Sequence, residues 1–277
     1  VEVEDLTTKQ TLSTKANFVF IGAGGGSLPL LQKSGIKESK GFGGFPIGGQ
    51  WLICDKPEIV NKHLAKVYGL SPGAAPTMAV PHLDTRIING KKALLFGPYA
   101  AWTTKFLHKG GSYLDLPGSV RWDNIASLIK VGLHNIPLVQ YLIQQGTQSM
   151  NTRMGELRNF YPDARNEDWE LIDAGIRVQA IKKLDGDAGI VHFGTEVLSC
   201  RDRSISALLG ASPGASVSVN IILEVVRECF GHLLETDEGH ARMKEMIPSY
   251  DESLVPGSKA KRQAALSKKA EKSLKLI

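Results

Sequence analysis

The chain has 277 residues, 42% of them hydrophobic and 22% charged, which suits one large domain or two intertwined ones with a sizeable core. This balance excludes intrinsic disorder, collagen and disulfide scaffolds, and no apolar run reaches transmembrane length. The formal charge of +5 is uneven: residues 258–277 hold seven Lys/Arg and one Glu, a net of +6, so the other 257 sum to −1 and no nucleic-acid-binding body is expected.

The chain opens at Val1, inside strand-like sequence and without a signal-peptide pattern, and reads as a piece of a longer protein. Cys54, Cys200 and Cys229 form no CxxC pair, which fits a reducing compartment. The seven histidines show no metal-ligand spacing, so no metal is expected.

Asn17 to Ile21 reads as a buried strand, Gly22-Ala23-Gly24-Gly25-Gly26 as a turn, and Ser27 to Lys33 as a helix capped by Ser27 and ended by Gly35. Such a unit can bring backbone N–H groups and a helix N-terminus to a phosphate or ribose. It lacks the GxGxxG spacing, and no acidic residue follows about twenty positions on. An ordinary strand–helix turn explains the pattern equally well.

Residues 41–50 are glycine-rich and read as an irregular crossover, followed by a strand over Trp51 to Cys54 and a helix over Asp55 to Tyr68. Pro76 to Ile88 and Lys91 to Phe96 read as a hairpin about the type I′ dipeptide Asn89-Gly90. Alternation places His82, Asp84 and Arg86 on one face. Residues 122–160 read as helical, with Asp123 as a cap, Ile136 to Phe160 as one run and Pro162 as its stop.

Gly175 to Lys183 reads as a strand with Arg177 and Gln179 on one face, returning through Asp185-Gly186 to a strand over Gly189 to Val197. A second glycine loop, residues 210–216, precedes a helix with an apolar stripe of Ile222, Val225, Val226, Cys229, Phe230 and Leu233. Two such loops make a shared cofactor more plausible than either alone. The tail after Pro256 reads as loose, with Leu266, Ala270 and Leu274 at helical spacing among lysines.

Arg177 interrupts an apolar strand, so it either pairs with a carboxylate of the protein or grips one on a ligand. His82 has the chemistry of a general base, although a lone strand histidine is more often only hydrogen-bonded. Lys105 either adds charge to a site or is solvated.

Several stretches together resemble the malate:quinone oxidoreductase family: FVFIGAGGGSLPLLQKSGI (18–36), GFPIGGQW (44–51), APTMAVPHLDTRIINGKKALLFGP (75–98), SVRWDNI (119–125), GIRVQAIKK (175–183), FGTE (193–196) and ALLGASPGAS (207–216). A weaker likeness extends to flavin-dependent amine and 2-hydroxyacid oxidases. The resemblance implies an α/β fold with α+β elements, in which a partial FAD-binding domain (1–40 and 172–250) receives an inserted β-sheet substrate domain (41–171) and ends in a basic tail (251–277). It implies FAD-dependent oxidation of (S)-malate to oxaloacetate with a membrane quinone as acceptor, by an enzyme at the inner face of the cell membrane; the weakly amphipathic basic tail itself reads equally as a segment on an anionic membrane surface or as a solvated tail. Arg177 is then the first carboxylate anchor, Arg86 or Lys105 the second, and His82 the base. Gly22, Ala23, Gly24 and Gly25 would lie along the ribose and phosphate of FAD, Gly48, Gly49 and Gln50 along the flavin ring, and Ser212, Pro213, Gly214, Ala215 and Ser216 at its pyrimidine end. The family's N-terminal GxGxxG unit is absent from the sequence, so the chain alone is expected to hold FAD poorly. A different 2-hydroxyacid oxidase and a non-catalytic module remain as alternatives.

Overall fold

The computed structural model describes residues 1–69, 80–184, 187–192, 194–210, 214–252 and 260–276. The chain divides into two compact units, Val1–Ile221 and Ile222–Ile277. Helices and sheets are mixed, in keeping with the α/β expectation.

The first unit opens with a small hairpin of β1 (Glu2–Glu4) and β2 (Thr11–Ser13). β3 (Val19–Ile21) leads through the glycine turn into α1 (Ser27–Ser34), which Gly35 ends in the left-handed conformation. Ser27 is not the cap. It occupies the first helical position, fully buried, and its Oγ accepts from the Ala23 N–H at 2.9 Å.

The glycine-rich stretch read as irregular is instead the body of a long strand, β4 (Gly43–Cys54). Its glycines fit where a side chain would not: a Cβ on Gly44 would stand 2.7 Å from Val178 Cγ1 and 2.9 Å from Leu28 Cδ2. The expected helix over Asp55 to Tyr68 shrinks to α2 (Pro57–Val60), and its end is β5 (Lys66–Tyr68), drawn into the sheet by pairing. The hairpin forms about Asn89-Gly90, both at positive φ, from β6 (His82–Ile88) and β7 (Lys91–Ala101); β6 is shorter than the expected Pro76 to Ile88, of which Pro76 to Ala79 lie outside the described residues. β7 runs five residues beyond Phe96, because its far end pairs with Gly48, Gly49 and Gln50 of β4.

The expected helical region holds, after the short α3 (Asp115–Ser119), three separate helices: α4 (Ile125–His134), α5 (Ile136–Gly146) and α6 (Met150–Arg158). Asn124 precedes α4 as its cap, and the Asp123 carboxylate accepts from the Gly41 N–H at 3.0 Å. Ser149 caps α6, accepting from the Thr152 N–H, and so interrupts the predicted continuous run.

β8 (Glu170–Leu184) pairs with β4 and with β9 (Asp187–His192). The expected second strand over Gly189 to Val197 is split: Val197 belongs to β10 (Thr195–Ser199), which pairs with β11 (Ile205–Gly210). The result is a six-stranded sheet ordered β5-β6-β7-β4-β8-β9 and a three-stranded sheet ordered β10-β11-β3.

Side-chain alternation on β8 separates the layers. Val178 and Ala180 join Ile21, Leu28, Phe106 and Leu209 in the core shared with the small sheet. Ile181 joins Val131 and Phe45 on the other face, on the side of α4. A further core gathers Leu52, Leu83, Phe96 and Tyr99 against Met154 and Leu157 of α6.

α7 (Gly214–Leu234) begins in the first unit and continues into the second. The stripe is shifted from expectation: Ile221, Val225 and Cys229 are buried, whereas Ile222 and Leu233 are exposed. In the second unit α8 (Asp237–Met246) is capped by Thr236. The tail is helical rather than loose over α9 (Ala260–Ser273), with Arg262 paired to Glu252 at 3.1 Å. Among the described residues no helix is long and apolar enough to cross a membrane.

Candidate active site

A cavity of about 280 Å³ lies between the six-stranded sheet and α5. Its floor is Gly48 and Gly49 of β4, Pro98 to Ala100 of β7, and Ala174 to Arg177 of β8; Leu138, Tyr141 and Leu142 of α5 form the roof. The glycines leave the floor low, since a Cβ on Gly175 would meet nothing within 4 Å and one on Gly49 only ordinary contacts. The lining is mostly apolar, and Arg177 is its one charged residue among those described. A guanidinium in such a wall attracts a carboxylate more strongly than it would in open water.

Gln179, on the same face as Arg177, is 2% exposed and also lines the cavity, and its Oε1 has no hydrogen-bond partner. The Tyr99 hydroxyl donates to the Arg153 carbonyl at 3.2 Å, and burial pushes its pKa far above the ordinary phenol value. Burial raises Tyr141 as well, so both phenols are neutral.

His82 and Arg86 do not line the cavity. Both touch Trp51, which does: the His82 ring meets the Trp51 ring edge-on at 4.9 Å, and the Arg86 guanidinium sits 4.9 Å from it. Arg86 is already bound to Asp84 at 2.8 Å, and Lys66 reaches the same carboxylate at 3.3 Å. The His82 Nδ1 lies 3.2 Å from the Val80 carbonyl. A carbonyl can only accept, so Nδ1 carries the hydrogen and the neutral ring keeps its lone pair on Nε2. Burial pulls the His82 pKa below the ordinary value, with the Val80 bond partly opposing it.

Lys105 lies over the Tyr113 ring at 4.4 Å and is no part of the cavity wall. The Gln50 amide donates to Asp173 at 2.9 Å, beside the cavity. Of the four expected catalytic residues, then, the cavity wall takes Arg177 alone, beside Gly48 and Gly49, which were expected along the flavin ring. The Tyr99, Tyr141, Leu138 and Leu142 walls were not singled out from sequence; the signal for α5 was its helical apolar spacing.

The glycine loops lie elsewhere. β3 and β11 are parallel neighbours, Ile21 opposite Ala207, so both loops leave from the same edge of the small sheet. Gly24, Gly25 and Gly210 line one narrow groove with Val178 and Ala180. Gly24, at φ +57°, faces open space, whereas a Cβ on Gly25 would stand 2.0 Å from the Phe106 carbonyl. Gly22 and Ala23 precede the groove in the same turn. Ser212 and Pro213 lie outside the described residues; Gly214, Ala215 and Ser216 form the first turn of α7.

The family model for malate:quinone oxidoreductase (Mqo) matches residues 1–276. The chain belongs to the malate:quinone oxidoreductase family. It is 52% identical over 254 residues to a Flavobacterium johnsoniae protein and 53% identical over 255 residues to one from Methylobacillus flagellatus, each named "Probable malate:quinone oxidoreductase". A Pseudomonas aeruginosa protein, "Probable malate:quinone oxidoreductase 2", is 54% identical over 254 residues. Each match covers 92% of this chain but only 51%, 52% and 50% of the respective relative. The chain thus spans about half the length of the curated relatives it matches.

Proposed function

We propose that the chain is the substrate-handling part of an enzyme that oxidises (S)-malate to oxaloacetate and passes the electrons to a membrane quinone. The observation that carries this reading is Arg177, the one charged side chain on the wall of an apolar cavity, in a member of this family. Arg177 would take one malate carboxylate through its planar fork. The second would meet neutral donors on the same wall, the Gln179 amide and the Tyr141 hydroxyl. His82, which stands beside Trp51 rather than on the wall, would accept the hydroxyl proton at Nε2 through an intervening water.

Segments 1–40 and 172–250 would supply the flavin side and 41–171 the substrate side, with β8 serving both: it pairs with β4 and turns Val178 and Ala180 to the glycine groove. That groove would take an edge of FAD, since Gly24 and Gly210 stand beyond the ends of adjacent parallel strands and Gly24 keeps its outer side clear. Gly22 to Gly25 would hold the ribose and phosphate side, the first turn of α7 the pyrimidine end, and Gly48 and Gly49 would let the ring approach the sheet. A bound flavin supplies the two-electron acceptor that malate oxidation needs. The basic α9 would attach to an anionic surface at the inner face of the cell membrane.

The test is malate oxidation by the complete protein, with an artificial quinone and with oxygen as alternative acceptors. Malate-dependent quinone reduction that collapses in Arg177→Ala is expected. Oxygen consumption without quinone reduction would point instead to another 2-hydroxyacid oxidase.

A further inference from the structure

Arg153 of α6 is only 2% exposed and is the largest of the fully buried side chains among the described residues. Its Nη2 donates to the Gln145 carbonyl at 3.1 Å, whereas Nε and Nη1 have no hydrogen-bond partner among the described residues. No carboxylate there forms an ion pair with it. Glu156, three residues on, accepts from the Gln148 amide at 3.0 Å instead. A buried cation with unmet donors is costly, and well-packed apolar atoms in its place are often neutral or stabilising. Stability therefore does not account for an arginine at this position.

Its contacts do. The guanidinium carbon lies 5.0 Å from the centre of the Tyr99 ring, and the Tyr99 hydroxyl donates to the Arg153 carbonyl. Tyr99 belongs to the cavity floor. Gln145 follows Tyr141 by four residues and Leu142 by three, so it continues, one turn on, the face of α5 that roofs the cavity. One side chain from outside the cavity thus touches the roof helix and the floor strand at once. It meets α5 in its last turn, where backbone carbonyls lack helical partners and a cation is favoured. The same turn lies close to the end of β7, where a Cβ on Gly146 would stand 3.6 Å from the Trp102 backbone nitrogen.

We infer that Arg153 is a positioning residue of the cavity: by tying the last turn of α5 to Tyr99 it fixes the height of the roof above the floor, and with it how closely an anion is enclosed beside Arg177. Arg153 itself touches no ligand. Only the identity of that anion rests on the malate reading.

The test has two arms. In the 277-residue chain, Arg153→Met should make hydrogen exchange over residues 138–146, read by mass spectrometry, about tenfold faster, with α6 and β4 unchanged. The melting temperature should stay within about 4 °C. In the complete protein the same substitution should raise KM for malate about tenfold and leave kcat within about twofold, which is lost binding rather than lost chemistry. Arg153→Lys keeps a charge that can reach the Gln145 carbonyl but not the planar fork, and should recover part of both effects. Unchanged exchange in α5 would overturn the proposal. So would faster exchange spread equally over α6 and the sheet with a matching fall in melting temperature, which would reduce Arg153 to a packing residue. Failure of Arg153→Met to fold would overturn it too, because the arginine would then be needed for stability, and so would a loosened α5 with a normal KM. A complete protein that does not oxidise malate would count against the malate reading instead, since the exchange arm needs no ligand, flavin or turnover and still decides whether Arg153 holds the roof.

Discussion

Arg177 and Val178, adjacent in β8, address different compartments. The Arg177 side chain lines the cavity under α5, while Val178 packs towards Gly25 and Gly44 on the glycine-loop side. One strand therefore forms part of both the anion-attracting wall and the floor of the groove proposed for the cofactor, and mutations one residue apart should have unlike effects.

At Arg177 the effect should be on substrate. In the complete protein, Arg177→Lys should lower kcat/KM for malate by tens to hundreds of fold, because lysine keeps the charge but loses the fork; losing one charged hydrogen bond costs about 2–4 kcal/mol. Thermal stability should barely change, since this side chain is exposed. Steady-state kinetics at matched flavin occupancy checks both, and a near-normal kcat/KM would move the anchor elsewhere.

His82 should set an acid limb. Burial lowers its pKa, so the neutral, lone-pair form persists to a lower pH than in an ordinary histidine. Activity should therefore fall with acidification, with a midpoint below the usual histidine value. His82→Asn should lower kcat roughly a hundredfold or more and abolish that limb, leaving malate binding largely intact. The same shift bears on folding: the unfolded chain binds the proton more readily, so stability should drop as pH falls through the unfolded histidine pKa towards the folded one. A pH–rate profile unaltered in the variant would rule His82 out as the base.

The glycine turn should show two unequal costs. Gly25→Ala drives a Cβ into the Phe106 carbonyl and should destabilise by about 1–3 kcal/mol or more. Gly24→Ala meets no atom but keeps a positive φ, costing about 1–2 kcal/mol. Thermal denaturation should rank Gly25→Ala below Gly24→Ala; the reverse order would contradict the packing described.

Asp84 should matter for acid stability. Burial works to raise its pKa, but hydrogen bonds from Arg86 and Lys66 outweigh that and lower it. A depressed carboxyl pKa stabilises above the unfolded value and loses that contribution as pH falls through the folded one. Asp84→Asn should cost about 1–3 kcal/mol at neutral pH and flatten the acid side of the stability profile. Denaturant titrations across the acid range would show it.

The tail should act through charge. Deleting residues 258–277 should weaken binding to anionic vesicles mainly at low salt, each basic residue being worth about 1 kcal/mol near the surface. Binding that is unchanged and insensitive to salt would remove α9 from the membrane reading.

The hairpin was legible because Asn89-Gly90 carries its own turn chemistry, and the glycine-turn helix because Gly35 stops it. β4 was not, because its glycines look irregular in isolation and become strand only where Val178, Leu28 and Ala101 demand a bare backbone. β5 was hidden for a related reason: a helical start at Pro57 gives no warning that Lys66–Tyr68 will pair with β6. Arg177 stood out as a charge in an apolar strand, and its face with Gln179 followed from alternation. That Arg86 would be held by Asp84 and Trp51, away from the cavity, depended on a sheet register that spacing alone does not reveal.

The parallel pairing of β3 with β11 sets an order of events during synthesis. Val19 to Ile21 find their partners only at Ile205 to Ala207, after every strand of the six-stranded sheet has been made. At about 5–20 residues per second the ribosome leaves β3 waiting roughly ten seconds or longer. Meanwhile the hairpins between can close locally, since short separations close fastest. The glycine groove is therefore among the last parts of the first unit to assemble, and a released chain that ends before residue 205 should be able to form its central sheet but not the groove between β3 and β11.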